Sequence, residues 1–467
     1  MYAKLFSKLS KMDPKTLVSF PILLCTVPMV SVALPLSMLF IAIYGSYRTV
    51  NHWMKILLRP DLLDRLNCLT QSYTSNWYGP TDPNIIQVSI VKGPLHPETV
   101  SRELRRNFQN PNLRRLQQFP VDFGGYYYWK AEKDFNISNH VKYLNPSVFL
   151  KQDLEILLGE LIAEKWTGGK SPWEVLVINN YFEDANIPKE YSVIILRAHQ
   201  CFHDIYQNIL LRTKPREEPL TGRSTLNTIF YPFIAIQDLI KLRMKLHIPE
   251  EWYDRYDNER VSVKNFRTKF SKVQSQDLQK IAQKLNVNSD AVLQGVLSML
   301  LHRALKNKGF FSFDNLSVSK NSKFRVISNL PENNTHVIEN IKRAFAESRE
   351  SLNSTVPNSW DLHLKAVGFI PTCFHGSTIY QPKISLDQVQ GPKDLVTFGG
   401  HEIRDLFKLG SFPGDSSEGI SIVCHSYKEE ITISLSVFNL YFPGEVLENF
   451  GGLVEQELLE VRQNLRI

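Results

Sequence analysis

Two kinds of apolar pattern alternate along this chain, and together they predict a mixed α/β fold. Short apolar runs bounded by glycine, proline or polar residues predict buried strands, and they cover Asn84–Val91, Tyr126–Trp129, Pro172–Ile178, Ser192–Leu196, Phe324–Ile327 and the hairpin of Gly419–Cys424 with Ile431–Phe438. Apolar stripes at helical spacing predict helices, and they cover Pro97–Asn107, Asp153–Trp166, Ile205–Leu211, Leu278–Leu285, Val292–Arg303, Val337–Leu352 and Glu445–Leu465. Because both kinds of element occur in both halves, we expect two α/β sandwich domains packed on each other.

The N-terminal stretch from Thr16 to Tyr47 has no charged side chain. About 20 apolar residues suffice to cross a bilayer, so this stretch predicts a membrane segment. Prolines at positions 21, 28 and 35 each remove a helix hydrogen bond, and basic residues flank both ends. Two topologies remain open, namely a kinked hairpin with both ends cytoplasmic and a single tilted span with a basic tail.

Changes in composition divide the 467 residues into four parts. We expect a membrane anchor over residues 1–60, an N-terminal domain over 61–211, a linker over 212–260 and a C-terminal domain over 261–467. Within the linker, the uncharged aromatic stretch Ser224–Ile236 precedes a basic stretch, which is typical either of a membrane-interface helix or of a bridge between domains.

Charge and cysteine content exclude several classes of function. The net charge of +7 comes from scattered residues, and no nucleic-acid-binding motif accompanies it, so no nucleic-acid partner is expected. The five cysteines are far apart, with no C-x-x-C pair and no metal-ligand spacing. We therefore expect reduced thiols, no metal site and no bound cofactor. No glycine-rich phosphate loop or G-x-S-x-G motif occurs.

The richest chemistry lies where the run Ser192–Leu196 gives way to a polar turn. There, His199, Gln200, His203 and Asp204 bring two imidazoles, an amide and a carboxylate together, which is the composition of a proton-transfer site. On a strand, the neighbouring residues 199 and 200 project to opposite faces, so His199 cannot simply take over a role of residue 200.

This cluster resembles the His-His-x-x-x-Asp-Gly signature of CoA-dependent acyltransferases. Other pieces in the same order resemble the wax ester synthase/diacylglycerol acyltransferase family in its membrane-anchored animal form. They are Tyr128-Trp129, Asp134-Phe135, His140-Val141, Ser171-Pro172-Trp173-Glu174-Val175, Asn288-Ser289-Asp290-Ala291-Val292-Leu293, Gly391-Pro392 and Gly399-Gly400.

The resemblance implies two acyltransferase-like domains with an acyl-CoA tunnel between them. It also implies transfer of a long-chain acyl group from acyl-CoA to a fatty alcohol or diacylglycerol, by a protein at the endoplasmic reticulum membrane with its body facing the cytosol. In the family, the second histidine takes the proton of the alcohol while the aspartate four positions later holds the loop.

Here Gln200 occupies the position of that base, and Ile205 replaces the glycine. An amide does not accept a proton near neutrality, and loss of a general base costs about 10²–10⁴ in rate. His203 is either a replacement base in a remodelled turn or a turn residue without a role. His199 matches the family's first, structural histidine.

The second functional loop of the family is an Asn-Val-Pro-Gly-Pro turn, which resembles residues 388–392 here. The match implies substrate-binding positions at Gln388, Gly391 and Pro392, although the asparagine and the first proline are replaced. Two hypotheses follow from the altered loops. The chain is either a weakened membrane-bound O-acyltransferase or a non-catalytic lipid-binding or scaffolding protein with the same fold.

Overall fold

The computed structural model describes most of the chain beyond residue 40. The described residues are 35, 38–39, 41–74, 84–183, 190–203, 205–210, 266–306, 315–320, 324–329, 336–352, 365, 367–372, 384–410, 419–438 and 442–467. The predicted linker, Asp204 and residues 16–34 of the predicted membrane segment lie outside them.

The helices follow the amphipathic stripes of the sequence. They are α1 (41–58), α2 (Cys68–Thr74), α3 (Pro97–Phe108), α4 (Lys151–Ala163), α5 (Gln207–Leu210), α6 (Ser275–Leu285), α7 (Ser289–Lys306), α8 (Val337–Leu352), α9 (Gly444–Glu448) and α10 (Phe450–Leu465). Asn288 caps α7 as predicted, because its side-chain oxygen accepts the N–H of Ala291 at 2.8 Å. The single helix predicted over Glu445–Leu465 is interrupted at Asn449, which separates α9 from α10.

The strands follow the short apolar runs. They are β1 (Leu62–Arg65), β2 (Asn84–Lys92), β3 (Gln118–Phe123), β4 (Tyr126–Ala131), β5 (Val141–Leu144), β6 (Phe149–Leu150), β7 (Trp173–Phe182), β8 (Tyr191–His199), β9 (Phe266–Gln274), β10 (Asn315–Lys320), β11 (Phe324–Asn329), β12 (Ile384–Gln390), β13 (Thr397–Phe398), β14 (His401–Leu409), β15 (Ile420–Tyr427) and β16 (Glu430–Phe438).

The first large sheet has the strand order β13-β14-β2-β8-β7-β5. Its central strand β8 is buried along its whole length, which explains why the sequence there is apolar without alternation. Helix α4 packs on one face of this sheet, and the aromatic residues of β4 with α5 pack on the other. The candidate turn at residues 199–203 therefore follows a strand that is buried along its whole length.

The second large sheet has the strand order β11-β10-β12-β15-β16-β9. Helices α6, α7, α8 and α10 supply apolar side chains to one core with β12, β15 and β16. The hairpin predicted across residues 427–430 is present, with Tyr427 paired to Glu430. The two large sheets and their helices confirm the expected α/β fold.

One strand joins the two halves. β14 belongs to the C-terminal half of the sequence but pairs with β2 in the first sheet, from Leu409 opposite Ile86 to Ile403 opposite Val91. Residues 397–409 thus lie in the sheet of the N-terminal half, although the predicted division at residue 261 assigned them to the C-terminal domain. We call β14 the exchanged strand for this reason. The division into four parts itself remains a prediction.

A small third sheet, of order β1-β4-β3, lies under helix α1. Its buried tyrosines Tyr126 and Tyr128 belong to the core, as expected of aromatic residues in a strand. Within the described part of the chain, no helix has both the length and the apolarity needed to cross a membrane.

Candidate active site

The candidate turn is formed by a capped 3-10 helix directly after β8. The strand ends at His199, and residues Gln200–Phe202 form the 3-10 helix. The Nδ1 atom of His199 accepts the N–H of Cys201 at 3.0 Å, and the Gln200 carbonyl accepts the N–H of His203 at 3.0 Å. Phe202 anchors the turn because its ring stacks on Trp129 at 5.6 Å.

His199 is a structural residue of this turn. It is fully buried, and burial, with a smaller contribution from Arg197, lowers its pKa to about 3. A backbone N–H can only donate, so the Nδ1 atom carries the lone pair and the proton of the neutral ring lies on Nε2. The imidazole therefore orders the backbone of the turn through Nδ1. Its other nitrogen, Nε2, carries a proton and is a hydrogen-bond donor rather than a base.

The structure corrects our argument that residues 199 and 200 project to opposite faces of a strand. Gln200 is not in the strand, because the 3-10 helix begins at this residue. Alternation along a strand therefore does not decide where the Gln200 amide points. What prevents His199 from acting as the base is its hydrogen bond to Cys201.

The other predicted residues of the turn are only partly buried. Gln200 and His203 are of intermediate exposure, and the His203 ring lies edge-on to Tyr73 of α2 at 5.0 Å. The predicted helix over Ile205–Leu211 is shorter than expected, since α5 begins at Gln207. Whether His203 acts as a base stays a prediction.

Two of the sequence pieces outside the turn meet in the core beside it. The ring of His140 stacks on Trp173 at 4.4 Å, and its Nδ1 atom lies 2.9 Å from the Trp173 carbonyl. Glu174 forms a buried ion pair with Arg197 at 2.8 Å. Burial alone would raise the pKa of Glu174, but Arg197 and Lys142 hold it below its usual value. These contacts support the strands that carry the turn.

The predicted turn at residues 388–392 is shorter than expected, since residues 388–390 belong to strand β12, and the turn that follows packs on the β15–β16 hairpin. The amide of Gln388 donates to the Asp290 carbonyl at 2.7 Å, which joins two of the separate sequence pieces. The N–H of Gly391 donates to the Ser426 carbonyl at 2.9 Å, and the Pro392 carbonyl accepts the N–H of Lys428 at 3.1 Å. A side chain at position 391 would collide with the Ser426 carbonyl and the His425 ring, which explains the glycine.

A small cleft opens beside Gln388, lined by Asp290, Leu293, Gln390, Cys424 and Ser426 among others. Burial raises the pKa of the Cys424 thiol, so this cysteine stays protonated and is a poor nucleophile. Within the described residues, no group of acidic, histidine and cysteine side chains could hold a metal ion.

Lys408 of β14 connects the two loops. Its ammonium lies 5.0 Å from the ring of Tyr206, just after the candidate turn, and its charge helps to lower the pKa of His425, which lies beneath Gly391. The Nδ1 atom of His425 lies 2.8 Å from the Leu406 carbonyl, so it must carry a proton and donate. The exchanged strand thus lies between the two predicted loops.

Sequence reasoning missed a set of polar side chains on the same face of the first sheet. Gln87 and Ser89 of β2 are cross-strand neighbours of Lys408 and Leu406. Both are buried, and in the described structure the Gln87 Nε2 and Ser89 Oγ atoms have no hydrogen-bond partner. Their signal in the sequence was two polar residues at alternate positions of one otherwise apolar run, residues 85–91.

Comparison with known proteins identifies solved structures that have a similar fold. No family model matches the sequence, and no curated protein matches it either. Among solved structures, the wax ester synthase/diacylglycerol acyltransferase from Marinobacter aquaeolei VT8 is similar with a TM-score of 0.60 at 13% identity, over 86% of this chain and 100% of that one.

Two further structures are similar to a lesser degree. The starter condensation domain of rhizomide synthetase, solved in complex with C8-CoA, has a TM-score of 0.54 at 11% identity, over 87% of this chain and 96% of that one. The trichothecene 15-O-acetyltransferase from Fusarium sporotrichioides has a TM-score of 0.51 at 8% identity, over 86% of this chain and 94% of that one. At these identities the likeness establishes the fold alone. The chain has the two-domain α/β fold of acyltransferase and condensation-domain structures.

Proposed function

We propose that this protein is a membrane-bound O-acyltransferase that transfers a long-chain acyl group from acyl-CoA to a fatty alcohol or diacylglycerol. The observation that carries the proposal is the position of the candidate turn. It lies at the end of the central strand of the first sheet, and the exchanged strand β14 brings the second predicted loop toward it through Lys408.

In the proposed reaction, the alcohol oxygen attacks the thioester carbonyl while its proton passes to a base, and the CoA thiolate leaves and takes up a proton. Asp204 would orient the turn. His203, or a water molecule held by Gln200, would accept the proton. Gln388, Gly391 and Pro392 would bound the substrate on the side of the second half. No metal or bound cofactor takes part in this scheme.

The known activities and ligands named for the similar structures support the substrate classes. One is a wax ester synthase/diacylglycerol acyltransferase, one was solved in complex with C8-CoA, and one is an O-acetyltransferase. We carry these classes over to the present chain as part of the proposal. The predicted anchor over residues 1–60 would hold the protein at the endoplasmic reticulum membrane, with its body in the cytosol.

A specific observation favours a second candidate function, that of a non-catalytic lipid-binding or scaffolding protein. The histidine that remains in the motif, His199, has its Nδ1 atom bound to the Cys201 N–H and its pKa lowered to about 3. Its neighbour at the position of the base is an amide, which does not titrate near neutrality. The motif therefore keeps the histidine that orders the turn, His199, and lacks the histidine that would accept the proton, at position 200.

Restoring the base separates the two candidates. The full chain is purified in detergent, and CoA release is followed with a long-chain acyl-CoA plus fatty alcohol or diacylglycerol. For the enzyme, we expect slow release by the wild type and a rise of about 10²–10⁴ in Gln200→His, because a general base contributes that factor. Gln200→Asn is the matched control, because its amide is no base either and should bring no such rise.

His203→Ala identifies the base of the wild type. If the wild type turns over and His203→Ala abolishes turnover, His203 is the base and the non-catalytic candidate is wrong. If the wild type and Gln200→His are both inert while the chain still binds long-chain lipid, the acyltransferase proposal is wrong.

A further inference from the structure

Helix α1 has the reverse of the usual polarity for a surface helix. Its inner face is polar and bonded to the body of the protein. Asn51 is buried, its amide donates to the Phe123 carbonyl at 3.1 Å, and its oxygen accepts the Tyr128 hydroxyl at 2.6 Å. The Tyr47 hydroxyl adds a bond to the Gly124 carbonyl at 3.1 Å. The helix is therefore fixed to the third sheet by directional bonds rather than by an apolar stripe.

The outer face of α1 is apolar and open. Trp53 is 63% exposed and Leu57 is 78% exposed. Val50 and Ile56 are exposed on the same half of the helix, Ile41, Ile43 and Met54 are exposed along its flanks, and Leu58 is exposed at its C-terminal end. A surface helix of a globular protein normally turns such residues inward, and a contiguous exposed apolar surface marks a site of contact with lipid or protein.

The sequence on the N-terminal side of α1 indicates which contact this is. The uncharged apolar stretch that begins at Thr16 runs directly into the helix. The helix itself carries Arg48, His52 and Lys55, so its own composition suits a position along an interface rather than across a bilayer. An apolar surface continuous with an apolar segment of membrane-spanning length fits lipid better than a second protein.

Within the described residues, helix α2 connects this surface with the candidate turn. The Arg48 guanidinium donates to the Cys68 thiol at 2.9 Å, at the start of α2. At the other end of α2, the Tyr73 ring contacts the His203 ring at 5.0 Å. The segment around Gly368 also packs closely on the Cys68 carbonyl. The outer face of α1 and the candidate turn are thus held in a fixed relation through α2.

We propose that the outer face of α1 docks on a phospholipid bilayer, and that this contact turns the α2 side of the candidate active site toward the membrane. A lipid acceptor would then reach the His199–His203 turn from the bilayer without crossing water. The docking surface is inferred from the polar inner face and apolar outer face of α1. The route of the acceptor rests on the proposed function.

Quenching of tryptophan fluorescence by brominated lipid tests the docking surface. The full chain is mixed with phosphatidylcholine vesicles whose acyl chains are either dibrominated or unmodified. We expect the brominated vesicles to quench the wild type, and Trp53→Phe to lose about half of that quenching or more. Trp166→Phe is the matched control, since this tryptophan packs in the body against Arg197 and should keep the quenching of the wild type. Equal quenching of Trp53→Phe and the wild type would overturn the proposal.

A charge on the outer face tests the same surface by affinity. Leu57→Glu should lower the partition coefficient into phosphatidylcholine vesicles roughly tenfold or more, because the variant loses the burial of one leucine side chain and places a charge against the lipid. Leu459→Glu is the control, since Leu459 is comparably exposed on α10 in the second half. If both variants partition like the wild type, or if the chain forms dimers that leave Trp53 unquenched, α1 is not a lipid surface.

Both measurements are independent of turnover. A positive result with an inert protein would leave the docking surface in place and remove only the acyl transfer. Turnover by a protein whose Trp53 is not quenched would leave the acyl transfer in place and remove the docking surface.

Discussion

The two loops singled out in the sequence each contain or cover a buried histidine, and the two histidines are held in opposite forms. His199 accepts a hydrogen bond from a backbone N–H, whereas His425 donates one to a backbone carbonyl. Burial is the main cause that lowers the pKa of each to about 3, so both rings are neutral at physiological pH. The outer nitrogen of His199 is therefore a donor, and that of His425 is an acceptor.

This difference shows that the residue type alone does not reveal what a histidine can do. The histidine matching the family motif offers no lone pair outside its own turn. The histidine with an acceptor on its outer nitrogen lies in β15, beneath Gly391 and beside Lys408, where no motif pointed to it. The partner of the Nδ1 atom decides between the two roles, and the sequence does not display that partner.

The largest effect that we expect from these two buried histidines is a loss of folding stability at acidic pH. Each folded pKa lies below the unfolded value of 6.5. Below pH 6.5 the unfolded chain therefore binds protons that the folded chain excludes, and stability present above that pH is lost progressively down to about pH 3. Between pH 6.5 and 4.5 we expect each histidine to cost roughly 2–3 kcal/mol of unfolding free energy. Urea unfolding across this range measures the loss.

Asparagine variants assign the loss to the two rings. His199→Asn keeps an acceptor near the Cys201 N–H, and His425→Asn keeps a donor near the Leu406 carbonyl, but neither amide titrates. Each variant should remove its own share of the pH dependence, whatever it does to stability at pH 7. His96→Asn is the control because that histidine is exposed. A wild-type slope in both buried-site variants would refute the assignment.

The elements of the fold were largely predictable, because apolar periodicity is local. The strand under Ser192–Leu196, the helix Val337–Leu352 and the hairpin across residues 427–430 all lie where the pattern put them. The strand exchange of β14 was not predictable in this way. Pairing β14 with β2 joins residues more than 300 positions apart, and no local pattern encodes such a partner.

Parts of the candidate site were predictable to a similar extent. The composition of the turn identified His199 and its neighbours. The exact end of β8 was not predictable, because it depends on the hydrogen bond by which the His199 side chain caps the 3-10 helix that begins at Gln200. Lys408, Gln87 and Ser89 were missed because a polar residue in a strand is ordinarily read as facing solvent. Here all three side chains are buried instead.

A smaller effect tests the loop above His425 by itself. In Gly391→Ala, the added methyl group would lie 2.1 Å from the Ser426 carbonyl oxygen and 2.7 Å from the His425 ring. We expect a loss of about 1–3 kcal/mol in the unfolding free energy, since the neighbours are backbone and a buried ring. Hydrogen exchange should rise in residues 420–427 and stay unchanged in 199–203, because the strain lies in the second half. Gly168→Ala, with nothing within 4 Å of the added methyl group, should change stability by no more than about 0.5 kcal/mol. Equal losses in the two variants would mean that close packing at Gly391 does not hold the loop against His425.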